Sequence, residues 1–266
     1  MNTRPDPLKT PLGPLVAKLQ KCTFVTHEDA EELYSLALEV RTLKRGQELV
    51  SQGQTLNDLH FVQKGWACRK KLLKDGTAFT IGYLLPGDCT GLTSAMGYTF
   101  DHAIEAVTDL TVVRVDTQSF NELKTSNPRL AQGFSLIRLT NEFISRSQMI
   151  NLGAMPAEQR IGQLLCDLIH RAEQSDPDGK NSLTVPLSQI DIASATGLSP
   201  VHVNRVLQKL RKEGLVDTHQ QGGIRLSNWE KLAAFSGYEK TDPVKQPSSK
   251  EGLSSRLRGQ FDRRDE

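Results

Sequence analysis

The sequence predicts an α+β chain with two folded parts joined by one long helix. Three observations carry that expectation. From about Val40 to Arg114, short apolar or alternating runs are punctuated by Gly46, Gly53, Gly65, Gly76, Gly82, Gly87 and Gly91, the texture of a β-sandwich or small barrel. Asn127-Pro128 then opens an apolar stretch with helical spacing that runs to about Leu152. Last, "ATGLSPVHVNRVLQKLRKEGLV" at Ala195–Val216 reads as an amphipathic helix reached through a tight glycine turn.

In chain order, residues 1–25 are a Pro-rich lead-in with a short helical stretch near Leu15–Leu19. Thr26 reads as an N-cap, with Glu28 and Asp29 in the first turn of a helix through Leu33, Leu36 and Ala37. In the β-rich part, "LHFVQKG", "TAFTIGYLLPGD" and "TVVRVD" are strands, and Lys74-Asp75-Gly76 is a hairpin turn. Asp116 opens a short helix over Thr117–Lys124. On the long helix, Leu130, Phe134, Ile137 and Ile144 share one face, which Asn141 interrupts, and Leu136, Leu139, Phe143 and Ile150 widen it. So broad an apolar surface suits a helix packed both on its own domain and on a second copy of itself; burial inside one domain is the other reading. Gly153–Pro156 is the expected hinge. A further helix (Ala157–Gln174), a polar loop "SDPDGKNS", the glycine-turn segment and a hairpin "LVDTHQQGGIRL" turning near Gly222-Gly223 follow. "SNWEKLAAF" closes the fold as a helix capped by Ser227 or Asn228. Beyond Tyr238 the composition is that of a disordered tail.

Composition narrows the function. With 266 residues, 37% hydrophobic and 24% charged, the chain has a globular balance. A net charge of +2 leaves any nucleic-acid binding to a local patch. No apolar run is long enough to span a bilayer, and "MNTRPDPLKTPLGPL" lacks the apolar core of a signal peptide, so the expected location is cytoplasmic, with no membrane partner. Cys22, Cys68, Cys89 and Cys166 form no CxxC pair and read as separate thiols. GxSxG, HExxH and P-loop spacings are absent, so no catalytic residue is expected and the chain does not read as an enzyme.

The glycine-turn segment fits a helix-turn-helix. Two helices crossing at a tight turn need small residues at the contact, here Ala193 and Gly197, and Gly197 can adopt the positive φ of the turn. Ile192, Leu198, Val203 and Val206 occupy the inward positions. The first helix is expected over about Ser188–Ala195 and the second over about Ser199–Glu213, with Ser199 as N-cap, Pro200 at N1 and Gly214 as the stop. Val201, His202, Asn204 and Arg205 then face outward at the start of the second helix, where such residues meet base edges in the major groove of double-stranded DNA. Arg205 suits guanine O6 and N7, Val201 a thymine methyl, and His202 and Asn204 a base or a phosphate. Ser188, Ser199, Pro200, Lys209 and Arg225 belong to phosphate contacts or to the helix starts. The outer face, with His202, Arg205, Gln208, Lys209 and Lys212, carries no acid before Glu213.

"LSQIDIASATGLSPVHVNRVLQKLRKEGLV", with the upstream glycines and "LLPGDCTG" at Leu84–Gly91, resembles the cAMP receptor protein / fumarate–nitrate reduction regulator (Crp/Fnr) superfamily of bacterial transcription factors. The resemblance spans about Val40 to Phe235. It implies a cyclic-nucleotide-binding-like β-roll (26–126), a dimerisation helix (127–153) using Leu130, Phe134, Ile137, Asn141 and Ile144, and a winged helix-turn-helix that binds DNA (154–238), followed by the tail (239–266). It also implies a homodimer on a near-palindromic site and contact with RNA polymerase. Three departures stand out. Between Gly91 and Glu105 there is no Arg or Lys for a cyclic phosphate, and Asp88, Asp101 and Glu105 disfavour an anion, which argues against cyclic AMP. One N-terminal cysteine, Cys22, does not make the cluster that holds iron and sulfur in the oxygen-sensing members. Val201 stands where many relatives carry Glu, so the half-site should differ at that base pair. No cofactor or metal is expected, and the effector is unknown.

Weaker signals are Cys166 and His170 at i, i+4, the thiols Cys68 and Cys89, and the lone His60 and His102. A scaffold protein whose β-roll binds a ligand or partner and whose winged part binds protein is the competing function. Steep loss of affinity with salt distinguishes a DNA binder from it.

Overall fold

The structure, a computed structural model, describes residues 10–23, 25–91, 99–174, 183–218 and 223–240. Two helices, α1 (Gly13–Cys22) and α2 (His27–Ser35), precede β1 (Ala37–Leu43), β2 (Glu48–Val50), β3 (Asp58–Lys64), β4 (Ala67–Leu72), β5 (Ala78–Leu84), β6 (Ala103–Ala106) and β7 (Leu110–Asp116). Then come α3 (Thr117–Ser126), the long α4 (Pro128–Ala154) and α5 (Ala157–Gln174). β8 (Thr184–Val185), α6 (Gln189–Thr196), α7 (Pro200–Lys212), β9 (Val216–Thr218), β10 (Ile224–Leu226) and α8 (Trp229–Ser236) complete the α+β fold. The "SDPDGKNS" loop, Gly222 of the hairpin turn and the tail beyond residue 240 lie outside the described residues.

Two antiparallel sheets, ordered β1-β7-β3 and β2-β6-β4-β5, make the first half. Side chains alternate across a strand, so β3 and β7 serve two cores at once. Val62, Leu110 and Val112 point between the sheets, with Leu84 and Ile104. Leu59, Phe61, Val113 and Val115 point the other way, onto Leu15, Leu19, Phe120, Leu130 and Phe134. The β4–β5 hairpin turns where expected, with Gly76 at φ +84°.

The helix starts follow their caps. Thr26 and Asp29 form a reciprocal capping box, Asp116 accepts from the Ser119 amide, and Asn127 from the Leu130 amide, each worth about 1 kcal/mol. α2 stops at Ser35, not at Ala37, because Ala37 already pairs with Val115 in the sheet. Gly153 remains inside α4, which narrows the hinge to Met155 and Pro156.

The expected pairing face of α4 needs a correction. Leu130, Phe134 and Ile137 are 0%, 4% and 4% exposed, buried in their own subunit. The helical stretch in the lead-in is the reason: it is α1, packed tightly on α4. A Cβ at Gly133 would stand 2.7 Å from the Leu19 side chain, so the missing side chain admits α1. Ile144 borders a cleft against β5 and α5. The apolar residues α4 leaves uncovered are Leu139, Met149 and Ile150, at 38%, 70% and 58% exposure, with Leu136 and Phe143 partly open. Leu136, Phe143 and Ile150 are spaced by heptads with Leu139 between them, a coiled-coil pattern.

The second half does not hang free from the first. Cys68, Tyr83, Leu85 and Val107 of the strand-rich part share one apolar cluster with Ile161, Leu165 and Leu168 of α5 and with Ile192 and Val203. No helix among the described residues is long and apolar enough to cross a membrane.

Candidate nucleic-acid interface

α6 and α7 are held at their turn by small residues and by caps. Ser188 and Asp191 close a capping box at the start of α6. Gly197 sits at φ +66°, a conformation that costs a side chain little only when there is none, and its amide donates to the Ala193 carbonyl. Ile192 and Val203 are fully buried and Val206 is 3% exposed, so the inner face is fixed. Ser199 accepts from the His202 amide at 3.2 Å, with Pro200 in the first turn of α7.

With that face fixed, Val201 is 71% exposed, and Arg205, Gln208 and Lys212 are exposed as well. His202 and Asn204 are half-buried. These side chains share the outer surface at the start of α7. Lys209 is less available than the sequence implies: its Nζ lies 2.7 Å from a Glu158 oxygen on α5. The Ser188 hydroxyl is engaged too, donating to Asp191 at 2.7 Å. Arg225 points outward from β10, whose neighbours Ile224 and Leu226 point in. β10 is the middle strand of a three-stranded sheet, between β8 and β9. Two residues of β8 are too few to show alternation, so this strand had no sequence signal.

Long-range polar contacts seat α6 on the strand-rich half. The Thr80 amide donates to Ser194 Oγ at 3.1 Å, and Tyr83 Oη donates to the Asp191 carbonyl at 3.1 Å. Arg45 Nη2 lies 2.8 Å from Asp191 Oδ2. Arg160 joins the ends of two helices, donating to the Thr196 carbonyl at 2.8 Å and the Met155 carbonyl at 3.1 Å. Except for Arg160–Met155, five residues apart, these partners lie more than thirty residues apart and leave no periodicity, and sequence reasoning missed them.

The three acids weighed against an anion are all paired. Glu105 meets Lys70 at 2.5 Å, Asp101 lies 3.6 Å from Lys71 and 2.7 Å from the His102 ring, and Asp88 meets Lys18 and Arg171. Their charges therefore do not count against an anion as bare carboxylates do. Arg69 on β4, outside the segment searched for a cation, donates to the Cys89 carbonyl at 3.1 Å. Leu92–Tyr98, the centre of the segment weighed for a cyclic phosphate, lies outside the described residues.

Burial raises the thiols of Cys68 and Cys89 to about 11 and that of Cys166 to about 12. Thiols held so high are poor nucleophiles and poor redox sensors at neutral pH. Burial lowers the imidazoles of His60 and His102. Cys166 and His170 both lie buried in α5.

Residues 159–235 match the family model of the Crp-like helix-turn-helix domain, and residues 40–127 that of the cyclic nucleotide-binding domain. Together the two cover more than half of the chain. The nitrogen fixation regulation protein FixK of Azorhizobium caulinodans is 27% identical over 172 residues, 65% of this chain and 68% of its own length. The transcriptional activator protein FnrL of Cereibacter sphaeroides is 24% identical over 214 residues, 79% of this chain and 86% of its own. Among solved structures, FixK2 of Bradyrhizobium japonicum superposes with a TM-score of 0.64 at 24% identity, over 74% of this chain and 96% of that one, a likeness of fold. α1 and α4 fall outside both matched segments.

Proposed function

This chain belongs to the Crp/Fnr family of DNA-binding transcription regulators, and on that premise we propose that it acts as a homodimer on a near-palindromic duplex site. The observation that carries this reading is the outer face of α7, which is exposed, basic and free of acids as far as Glu213. Val201, His202, Asn204 and Arg205 read base edges in the major groove, with Arg205 on a guanine. Ser199, Pro200, Ser188 and Arg225 lie along the backbone, and Lys209 joins them by exchanging Glu158 for a phosphate. The functional units are a sensor-like β-roll (26–126), a pairing helix (127–153) and a winged DNA-binding unit (154–238).

Two copies pair through Leu136, Leu139, Phe143 and Ile150 of α4, not through Leu130, Phe134 and Ile137. Pairing sets the two recognition helices roughly 34 Å apart, one turn of duplex. RNA polymerase is the further partner, and the cytoplasm the place of action.

Selection from random duplex DNA by the purified chain, with no added ligand, tests this reading. The expected result is an enriched inverted repeat whose half-sites are one turn apart, bound with an affinity that falls steeply with salt. A bound pool without any repeat overturns it.

A further inference from the structure

Three buried charges far apart in sequence meet where the two halves join. Lys18 of α1, Asp88 in the turn after β5, and Arg171 of α5 are 8%, 3% and 8% exposed. Lys18 Nζ donates to Asp88 Oδ1. Arg171 Nη2 donates to Asp88 Oδ2 at 3.0 Å and to the Tyr83 carbonyl at 2.9 Å. Asp88 also caps its own turn, accepting from the Leu85 amide at 2.8 Å. Beside this triad, Lys21 of α1 donates to the Glu173 carbonyl of α5 at 3.0 Å. The carboxylate is thus clamped between a cation from the first helix and a cation from the DNA-binding half. Arg171 also lies 3.5 Å from Asp167 on its own helix, so Lys18 is the cation that loses its carboxylate partner without Asp88, and burying it unpaired is costly.

We propose that α1 is a strap that holds the DNA-binding half in its DNA-competent orientation, with Lys18 and Arg171 as positioning residues acting through Asp88. Two observations give the strap its sign. In the strapped arrangement the outer face of α7 is open, with Val201 71% exposed. The covalent link between the halves is the short Met155-Pro156 junction between α4 and α5, and the strap acts together with the shared apolar cluster and the Thr80–Ser194 and Tyr83–Asp191 contacts. Without the strap the remaining contacts hold the docking less firmly, the DNA-binding half samples other orientations more often, and apparent affinity falls with the fraction that remains competent. The DNA readout rests on the regulator reading above; the orientation itself does not.

The test replaces Lys18 with Met, which keeps length and removes charge, and with Arg, which restores it. Two quantities are read: affinity for the selected duplex, and hydrogen exchange of the Thr80 amide. That amide donates to Ser194 on α6 and so reports docking of the halves without DNA. In K18M, duplex affinity is expected to fall roughly tenfold and Thr80 exchange to rise by at least about that factor, with K18R returning both to within about twofold of wild type. Circular dichroism below the melting transition checks that K18M is folded; if it is not, Lys18→Gln and Lys21→Ala carry the same two readouts. Unchanged Thr80 exchange in a folded variant overturns the strap, whether or not the wild type binds DNA. Tighter duplex binding in K18M overturns it as well, since the strap would then be inhibitory.

Discussion

Arg205 can be judged from its immediate neighbours. Val203 and Val206 on either side are buried, which leaves Arg205 on the outside of α7. Arg205→Ala is expected to remove about 1–3 kcal/mol of preference at one guanine per half-site, read by competition between duplexes that differ at that base pair. Uniform weakening on every duplex would make Arg205 a phosphate contact instead. This part of the interface was legible because capping, turn glycine and inner positions all lie within one short segment, where spacing translates directly into direction. Lys209 was not, because its partner Glu158 stands on another helix. Ser188 is a different case: its hydroxyl is engaged by Asp191, three residues on in its own capping box, a local pattern that sequence carries.

At the scale of one element, α4 shows where periodicity stops being informative. Both apolar stripes are visible in the sequence, and an isolated helix gives no means of ranking them. The choice is made by α1, whose Leu19 approaches Gly133 and covers the Leu130–Ile137 stripe. The two stripes should therefore respond differently to charge. Leu139→Glu combined with Ile150→Glu is expected to leave a folded monomer by sedimentation, with specific duplex binding lost and the melting point nearly unchanged. Phe134→Glu buries a charge in the subunit's own core and should cost roughly 4 kcal/mol or more of stability, read by thermal or urea unfolding. A Phe134→Glu protein that keeps near wild-type stability but becomes monomeric would return the pairing face to the inner stripe.

Across the whole molecule, acid should loosen the join between the halves. Burial raises the Asp88 carboxyl, but Lys18, Arg171 and the Leu85 amide outweigh it and hold it down to about 2. In the unfolded chain the same group titrates near its ordinary value of 3.8. The unfolded state therefore binds the proton first, so this group's stabilisation is complete above about pH 4 and drains away as pH falls towards 2. Asp29, which Arg129 and Asn127 hold low against its burial, acts in the same direction. Asp167, raised by burial, opposes them. Urea unfolding between pH 6 and pH 2.5 should show this decline, and K18M should show a shallower one. The fold class and element order were legible because they rest on local patterns. The seating of one half on the other was not, since it depends on residues such as Lys18, Asp88 and Arg171 whose charges carry no positional label.

The same triad has a consequence for how the chain is made. Lys18 emerges from the ribosome about 150 residues before Arg171, an interval of roughly 8–30 s at about 5–20 residues per second. Until α5 arrives, Asp88 has one of its two cations and the nascent β-roll lacks its closing partner. A chain whose synthesis ends early keeps that shortfall permanently. Completion of the DNA-binding half is thus what supplies the second cation of Asp88 and seals the first half.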